Sequence, residues 1–220
     1  MMPRIRLLIL DFDGVIVESN DVKTEAFRRV FSRFPEHADA MMQYHHAHVS
    51  ESRFTKFAHL VTHRMGRSEA DPLMAELADA FSKETVDLVS ECEPVAGARE
   101  LLEVAAAAVP VYLASVTPKA DLDAILHRRR LTRFFTRAYG CPPWTKPDAI
   151  RDIVGASGTD GVLLIGDSAG DQRAARATGV EFLARDSGLP FDDPQPAMGR
   201  DLHELLAQLH GRFPSTGSTQ

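Results

Sequence analysis

Cysteine is scarce in this chain: 220 residues hold two, Cys92 and Cys141. They show no metal-ligand spacing, and no export signal accompanies them, so both read as reduced thiols. An excess of positive charge is also missing. Lys and Arg total 25 against 31 Asp and Glu, a formal net charge of −6. A general nucleic-acid binder is normally basic, so that class is disfavoured. A phosphorylated ligand is still compatible, because a metal and a few local cations can supply the positive field. Long apolar runs are absent too. Ile5–Leu10 is too short for a signal peptide or a membrane span, and acidic residues follow it. The expected location is cytoplasmic.

What is present is an ordinary globular composition, 44% hydrophobic and 25% charged. The length suits one large domain, or one domain with an insert. Ile5–Leu10, Val111–Ala114 and Val162–Ile165 are short apolar clusters ending in polar residues, the pattern of buried parallel strands. Phe134–Tyr139 and Glu181–Ala184 are weaker strand candidates. Helical patterns over Ala98–Ala107, Lys119–Arg130 and Ala169–Thr178 alternate with them, the last closed by Gly179. This predicts a Rossmann-like α/β core with a doubly wound parallel sheet, built from residues 1–16 and 95–212. From Glu18 to Cys92 the alternation breaks. Val22–Phe34, Glu36–His48, Glu51–Met65 and Ser68–Ser90 read as helices, with Phe27, Phe31 and Phe34 on one core-facing stripe. An insert of about 75 residues is long enough to be a small domain, a helical cap over 17–94. Hinges are expected near Val15–Val17 and Glu93–Val95. The small polar tail from Gly211 onward reads as disordered, with 213–220 outside the core.

Each strong strand ends in reactive side chains. The first runs Leu8-Ile9-Leu10 into Asp11-Phe12-Asp13-Gly14. Residues i and i+2 of a strand share a side, so both carboxylates can face one site at its carboxyl end. Two adjacent carboxylates persist as a pair mainly when a cation neutralises them or one holds a proton. The second strand ends in Ser115, with Val116, Thr117 and Lys119 behind it. Lys146-Pro147 opens a helix, and the fourth strand ends in Gly166-Asp167-Ser168-Ala169-Gly170-Asp171. Carboxylates, a hydroxyl and a lysine suit phosphoryl transfer. A carboxylate nucleophile splits one hard displacement into two easier ones. Mg²⁺ needs few protein oxygens, and the hydroxyl and ammonium stabilise phosphoryl oxygens.

The order Asp-Phe-Asp-Gly-Val, Ser115, Lys146-Pro147, Gly-Asp-Ser-x-x-Asp resembles the four ordered motifs of the haloacid dehalogenase superfamily. The helical insert resembles the cap of its phosphoglycolate phosphatase and β-phosphoglucomutase-like branch. The resemblance spans about residues 5–210 and implies the following roles. Asp11 is nucleophile and Mg²⁺ ligand. Asp13 is general acid/base, and its carbonyl also binds the metal. Ser115 and Lys146 hold the phosphoryl group. Asp167 is a direct metal ligand, with Asp171 behind it or bound through water. Gly14 and Val116, beside these groups, are counted with Ser115 and Lys146 as substrate contacts. Dehalogenase members lack the second aspartate, so Asp13 argues for a phosphate substrate. Ser52-Arg53-Phe54-Thr55-Lys56 resembles a cap segment that touches the leaving group, which makes Arg53 and Lys56 candidate substrate contacts. Mutases of this branch carry a histidine where this chain has Lys23, which weakens a mutase reading and offers Lys23 as a contact for an anionic substrate.

Plainer readings stand beside these. Ser115 or Thr117 can cap the following helix, with Thr117 the better fit. Lys119 reads as a solvated helix residue. Lys23, Arg53 and Lys56 can be exposed helix cations. His45, His46 and His48 fit a surface or cap-lining role better than a metal site, since no carboxylate or cysteine joins them at ligand spacing. The expected function is Mg²⁺-dependent hydrolysis of a small phosphate monoester, a sugar phosphate or phospho-hydroxy acid. The alternatives are a phosphomutase and a non-catalytic phosphosugar-binding protein. The expected partner is a small phosphorylated metabolite, with neither nucleic acid nor membrane, and the chain is expected to be a monomer or weak homodimer.

Overall fold

The computed structural model of the chain describes residues 3–49 and 51–214. It divides into two compact units, Met1–Glu18 with Glu93–Gln220, and Ser19–Cys92. The division falls just inside the boundaries expected from sequence because Val17 and Glu18 still belong to the first unit. Val17 bridges to Pro94, and the Glu18 N–H donates to the Glu93 carbonyl at 2.9 Å.

In the first unit the strands are β1 (Leu7–Leu10), β2 (Val111–Ser115), β3 (Arg137–Gly140), β4 (Val162–Gly166), β5 (Glu181–Arg185) and β6 (Met198–Gly199). They form one sheet in the order β3-β2-β1-β4-β5-β6, with every pairing parallel. The doubly wound sheet expected from the apolar runs is present. Strand β1 is central. Leu10 lies opposite Leu113 on one side and Ile165 on the other, so the ends of β1, β2 and β4 are level. The order reverses between β1 and β4, and open α/β sheets bind ligands outside the carboxyl ends of strands at such a reversal.

Between the strands lie α5 (Ala98–Ala108), α6 (Lys119–Arg128), α7 (Lys146–Val154) and α8 (Ala169–Thr178), and α9 (Leu202–Gln208) follows the last of them. Leu7 and Ile9 pack with Ile150 of α7 and Ala174 and Ala175 of α8. Leu8 and Leu10, pointing the other way, are equally buried. Burial on both faces is why β1 reads as an unbroken apolar run rather than an alternating one.

Among its described residues the second unit holds the α-helices α1 to α4, here called ι1 (Asn20–Phe31), ι2 (Pro35–Ala47), ι3 (Arg53–Ala58) and ι4 (Leu73–Glu91). Its core is aromatic. Phe27, Phe31, Phe57 and Phe81 are buried together, with Phe27 and Phe81 ring centroids 4.2 Å apart. Each fully buried phenylalanine contributes roughly 1.5–3 kcal/mol.

Several boundaries differ from the sequence reading. The first insert helix stops at Phe31 rather than Phe34, because Phe34 precedes Pro35 and takes an extended φ of −129°. The helix expected over Glu51–Met65 runs as ι3 and then a π-helical turn, His59–Arg64. The fourth starts at Leu73 rather than Ser68; Asp71 Oδ1 accepts from the Leu73 N–H at 2.9 Å. Phe134 lies in a 3₁₀ turn, so β3 begins only at Arg137. The strand β6 and helix α9 were not expected. Of the expected tail, residues 215–220 lie outside the described residues. Its start is anchored, contrary to a tail disordered from Gly211: the Arg212 guanidinium donates to both Glu181 carboxylate oxygens and to the Pro3 carbonyl.

Candidate active site

Strand β1 delivers Asp11 and Asp13, both buried, to the carboxyl edge of the sheet. The turn after it is tight. Phe12 O accepts the Ile16 N–H at 2.8 Å and Gly14 N–H donates to Val17 O at 2.8 Å. Gly14 itself sits at φ +71°, a conformation that favours glycine. Strand β2 delivers Ser115 and Thr117. Thr117 Oγ1 donates to Asp13 Oδ2 at 2.8 Å, and Ser115 Oγ approaches the same oxygen at 3.5 Å while accepting the Thr117 N–H at 3.0 Å. The helix α6 has Pro118 at its cap position with no side-chain cap. Thr117 is therefore not the helix cap expected from sequence, because its hydroxyl is turned to Asp13 instead. Val116 is half-buried beside it.

Lys146 is the first residue of α7, capped by Thr145, whose hydroxyl accepts the Asp148 N–H. Its ammonium lies 2.8 Å from Asp11 Oδ1 and also pairs with Asp171 Oδ1. Strand β4 delivers Asp167, and Asp171 sits in the first turn of α8. There Ser168 and Asp171 form a reciprocal capping box: Ser168 N and Oγ both donate to Asp171 Oδ2, the hydroxyl at 2.6 Å. So Asp11, Asp13, Ser115, Lys146, Asp167 and Asp171, from four separate stretches of sequence, meet at one sheet edge.

Buried charge is concentrated at this edge. Burial drives the Asp11 carboxyl well above the usual carboxylate range; Lys146 opposes this, while Asp171, Asp167 and Asp13 add to it. Burial alone would strip the proton from Lys146, but Asp11 and Asp171 outweigh it and hold the ammonium charged. Lys146 thus pairs with two of the carboxylates gathered here, Asp11 and Asp171. Ligand oxygens from Asp11, Asp167 and Asp171 lie within 4.8 Å of one another. Asp11 Oδ1 is buried and accepts no aligned hydrogen bond, despite the nearby ammonium. An under-coordinated carboxylate oxygen in an all-oxygen cluster is the donor set a hard divalent cation takes. Asp171 differs from the other two, since Lys146 and Ser168 already use both its oxygens.

A family model described as haloacid dehalogenase-like hydrolase matches residues 8–185. The chain belongs to that family. Among curated proteins, none matches it. Solved structures share the fold of this hydrolase across nearly the whole chain. HAD-hydrolase YfnB from Bacillus subtilis, solved bound to magnesium, is 16% identical with a TM-score of 0.68, covering 94% of this chain and 99% of its own. CbbY from Rhodobacter sphaeroides, solved with phosphate, is 17% identical with a TM-score of 0.71, covering 91% and 96%. A predicted phosphoglycolate phosphatase from Haemophilus somnus 129PT is 13% identical with a TM-score of 0.72, covering 94% and 99%.

In the insert of the hydrolase, the three candidate cations have different surroundings. Lys23 is half-buried on ι1. Arg53 and Lys56 are buried rather than exposed. Arg53 donates to Ser82 Oγ at 2.6 Å and stacks on Phe81. Lys56 Nζ lies 3.1 Å from His45 Nδ1, donates to Val49 O and sits over the Phe27 ring. His45 Nε2 in turn meets Thr24 Oγ1 at 3.0 Å. Burial and its cationic neighbours push the His45 pKa down to about 3, and burial pushes Lys56 down to about 7. His45 is thus a buried neutral link, not a surface histidine, whereas His46 is exposed and His48 stacks on Tyr44. Lys119 pairs with Asp123 on the surface of α6, as its spacing suggests.

The Thr117–Asp13 bond is the site contact that sequence reasoning missed. Its signal was weak, a second hydroxyl two residues beyond Ser115, and capping accounted for it equally well.

Proposed function

We propose that this hydrolase removes the phosphoryl group from a small phosphate monoester, with Asp11 as nucleophile and Mg²⁺ as cofactor. The observation that carries the reading is Lys146, held between Asp11 and Asp171, where oxygens of Asp11, Asp167 and Asp171 lie within 4.8 Å of one another. Asp11 and Asp167 would hold the ion, with Asp171 reaching it through water and the Asp13 carbonyl completing the protein's share. When bound, Mg²⁺ offsets the repulsion between the attacking carboxylate and the phosphate oxygens.

Asp11 attacks phosphorus and forms an aspartyl phosphate as the ester oxygen departs. Asp13 gives that oxygen its proton, then takes one from the water that cleaves the acyl phosphate. Thr117 orients Asp13 for both transfers by committing Oδ2 as an acceptor. Ser115 and Lys146 bind the phosphoryl oxygens, with Gly14 and Val116 beside them. Arg53 and Lys56 have partners inside the insert, so we assign them to its internal packing. No described helix is long and apolar enough to cross a membrane. The proposed substrate is a small metabolite such as a sugar phosphate or phospho-hydroxy acid.

A panel of phosphate esters assayed with Mg²⁺ tests the proposal, using wild type and Asp11→Asn. Phosphate release by the wild type, lost at least about 1,000-fold in the variant, supports it. Isomerisation of a sugar phosphate without net release would make the chain a mutase. Tight ester binding with no turnover by either protein would make it a binding protein.

A further inference from the structure

Arg185, the last residue of β5, is nearly buried and uses its whole guanidinium. Nε donates to Arg200 O at 3.1 Å. Nη1 donates to Gly14 O at 3.2 Å and to Glu18 Oε2 at 3.1 Å, and Nη2 donates to Glu18 Oε1 at 2.6 Å. Both Glu18 oxygens are therefore gripped in a fork, and the carbonyl next to Asp13 is gripped with them. All these residues belong to the same unit.

The turn that Arg185 grips is also held by its own backbone bonds and by the Glu93–Val95 segment, through the Val17–Pro94 bridge, the Glu18 N–H on Glu93 O and the Val95 N–H on Ile16 O. Phe12 O accepts N–H groups from Val15, Ile16 and Val17, and Gly14 N–H closes on Val17 O. Those bonds fix the curl of the turn, and none of them uses the Gly14 carbonyl. A glycine at φ +71° has no side chain to restrict its peptide plane. Arg185 supplies the missing restraint from β5, two strands away from β1 in the sheet.

We propose that Arg185 is a positioning residue: by holding Gly14 and Glu18 together it fixes the turn that carries Asp13, and so the aim of the Asp13 carboxylate. This rests on the phosphatase reading for its kinetic consequence, not for its structural one. A lysine cannot replace the fork, since its ammonium is a single point donor. Misplacing a reacting group by about 1 Å costs on the order of 100-fold in rate.

The test uses the full chain with Mg²⁺, the ester that wild type turns over best, and Arg185→Gln, Arg185→Lys and Glu18→Ala. Hydrogen exchange of the Gly14–Val17 amides is followed beside kcat and KM. For Arg185→Gln the expected result is exchange at least about 10-fold faster in that turn, with β4 unchanged, and kcat lower by about 10- to 100-fold at a KM within about twofold. Arg185→Lys should fall between, and Glu18→Ala should reproduce the exchange effect if Arg185→Gln fails to fold. Unchanged exchange in the turn overturns the proposal. So does a folded Arg185→Gln protein whose only change is a lower melting temperature at wild-type kcat. If wild type turns over no ester, the phosphatase reading falls, and the exchange result alone decides whether Arg185 fixes the turn.

Discussion

Single side chains set the chemistry of this site. Lys146 touches two of the site's carboxylates, Asp11 and Asp171. Replacing it by Met keeps the volume and removes the charge. Phosphate release by Lys146→Met should fall by about 100-fold or more, measured at saturating Mg²⁺ and ester. Thr117 acts more subtly. Thr117→Val keeps the shape and deletes the donor to Asp13 Oδ2. A lost hydrogen bond to a charged group is worth roughly 1.5–3 kcal/mol, so kcat should drop about 10- to 100-fold while KM stays put. Gly166 is constrained by its neighbour, because a Cβ there would overlap the Asp171 side chain. Gly166→Ala must displace Asp171 or β4, and its activity should be lost together with part of its stability. How visible these roles are in the sequence varies. Asp11, Asp13 and Asp167 announce themselves, because carboxylates directly after apolar strands have few other uses. Thr117 and Arg185 do not, since what they hold is set by the closing of a turn and by a strand two places away.

Elements show the same contrast. Strand β1, the central strands β2 and β4, and helix α8 were legible because local pattern and tertiary burial agree there. Strand β6 has only the two residues Met198 and Gly199, too few for any periodicity. The π-helical turn His59–Arg64 was hidden because its apolar spacing differs from an α-helix by a single residue. At the start of α8 the structure shows a capping box between Ser168 and Asp171. Removing it tests two functions at once. Ser168→Ala should cost about 1 kcal/mol of stability, read by denaturant unfolding. It should also weaken the hold on Asp171, lowering activity further than the stability loss accounts for.

At the scale of the whole molecule, the two units answer to different variables. The insert answers to pH through Lys56 and His45. Both bind protons more weakly in the fold than in the unfolded chain, with Lys56 moved from 10.5 to about 7 and His45 from 6.5 to about 3. The unfolded chain takes up the extra proton in each window, so stability falls as pH drops from 10.5 towards 7 and again from 6.5 towards 3. Unfolding midpoints measured from pH 10 down to 7 should decline, and Lys56→Met should flatten that slope. On the proposed function, the first unit should answer instead to divalent cation, through the cluster of Asp11, Asp167 and Asp171. Calorimetric titration of Mg²⁺ into wild type and Asp167→Asn addresses that cluster directly. The expected result is saturable binding to the wild type, weakened at least about 10-fold in the variant. Equal binding by the two proteins, or no binding by a wild type that still releases phosphate, would contradict it.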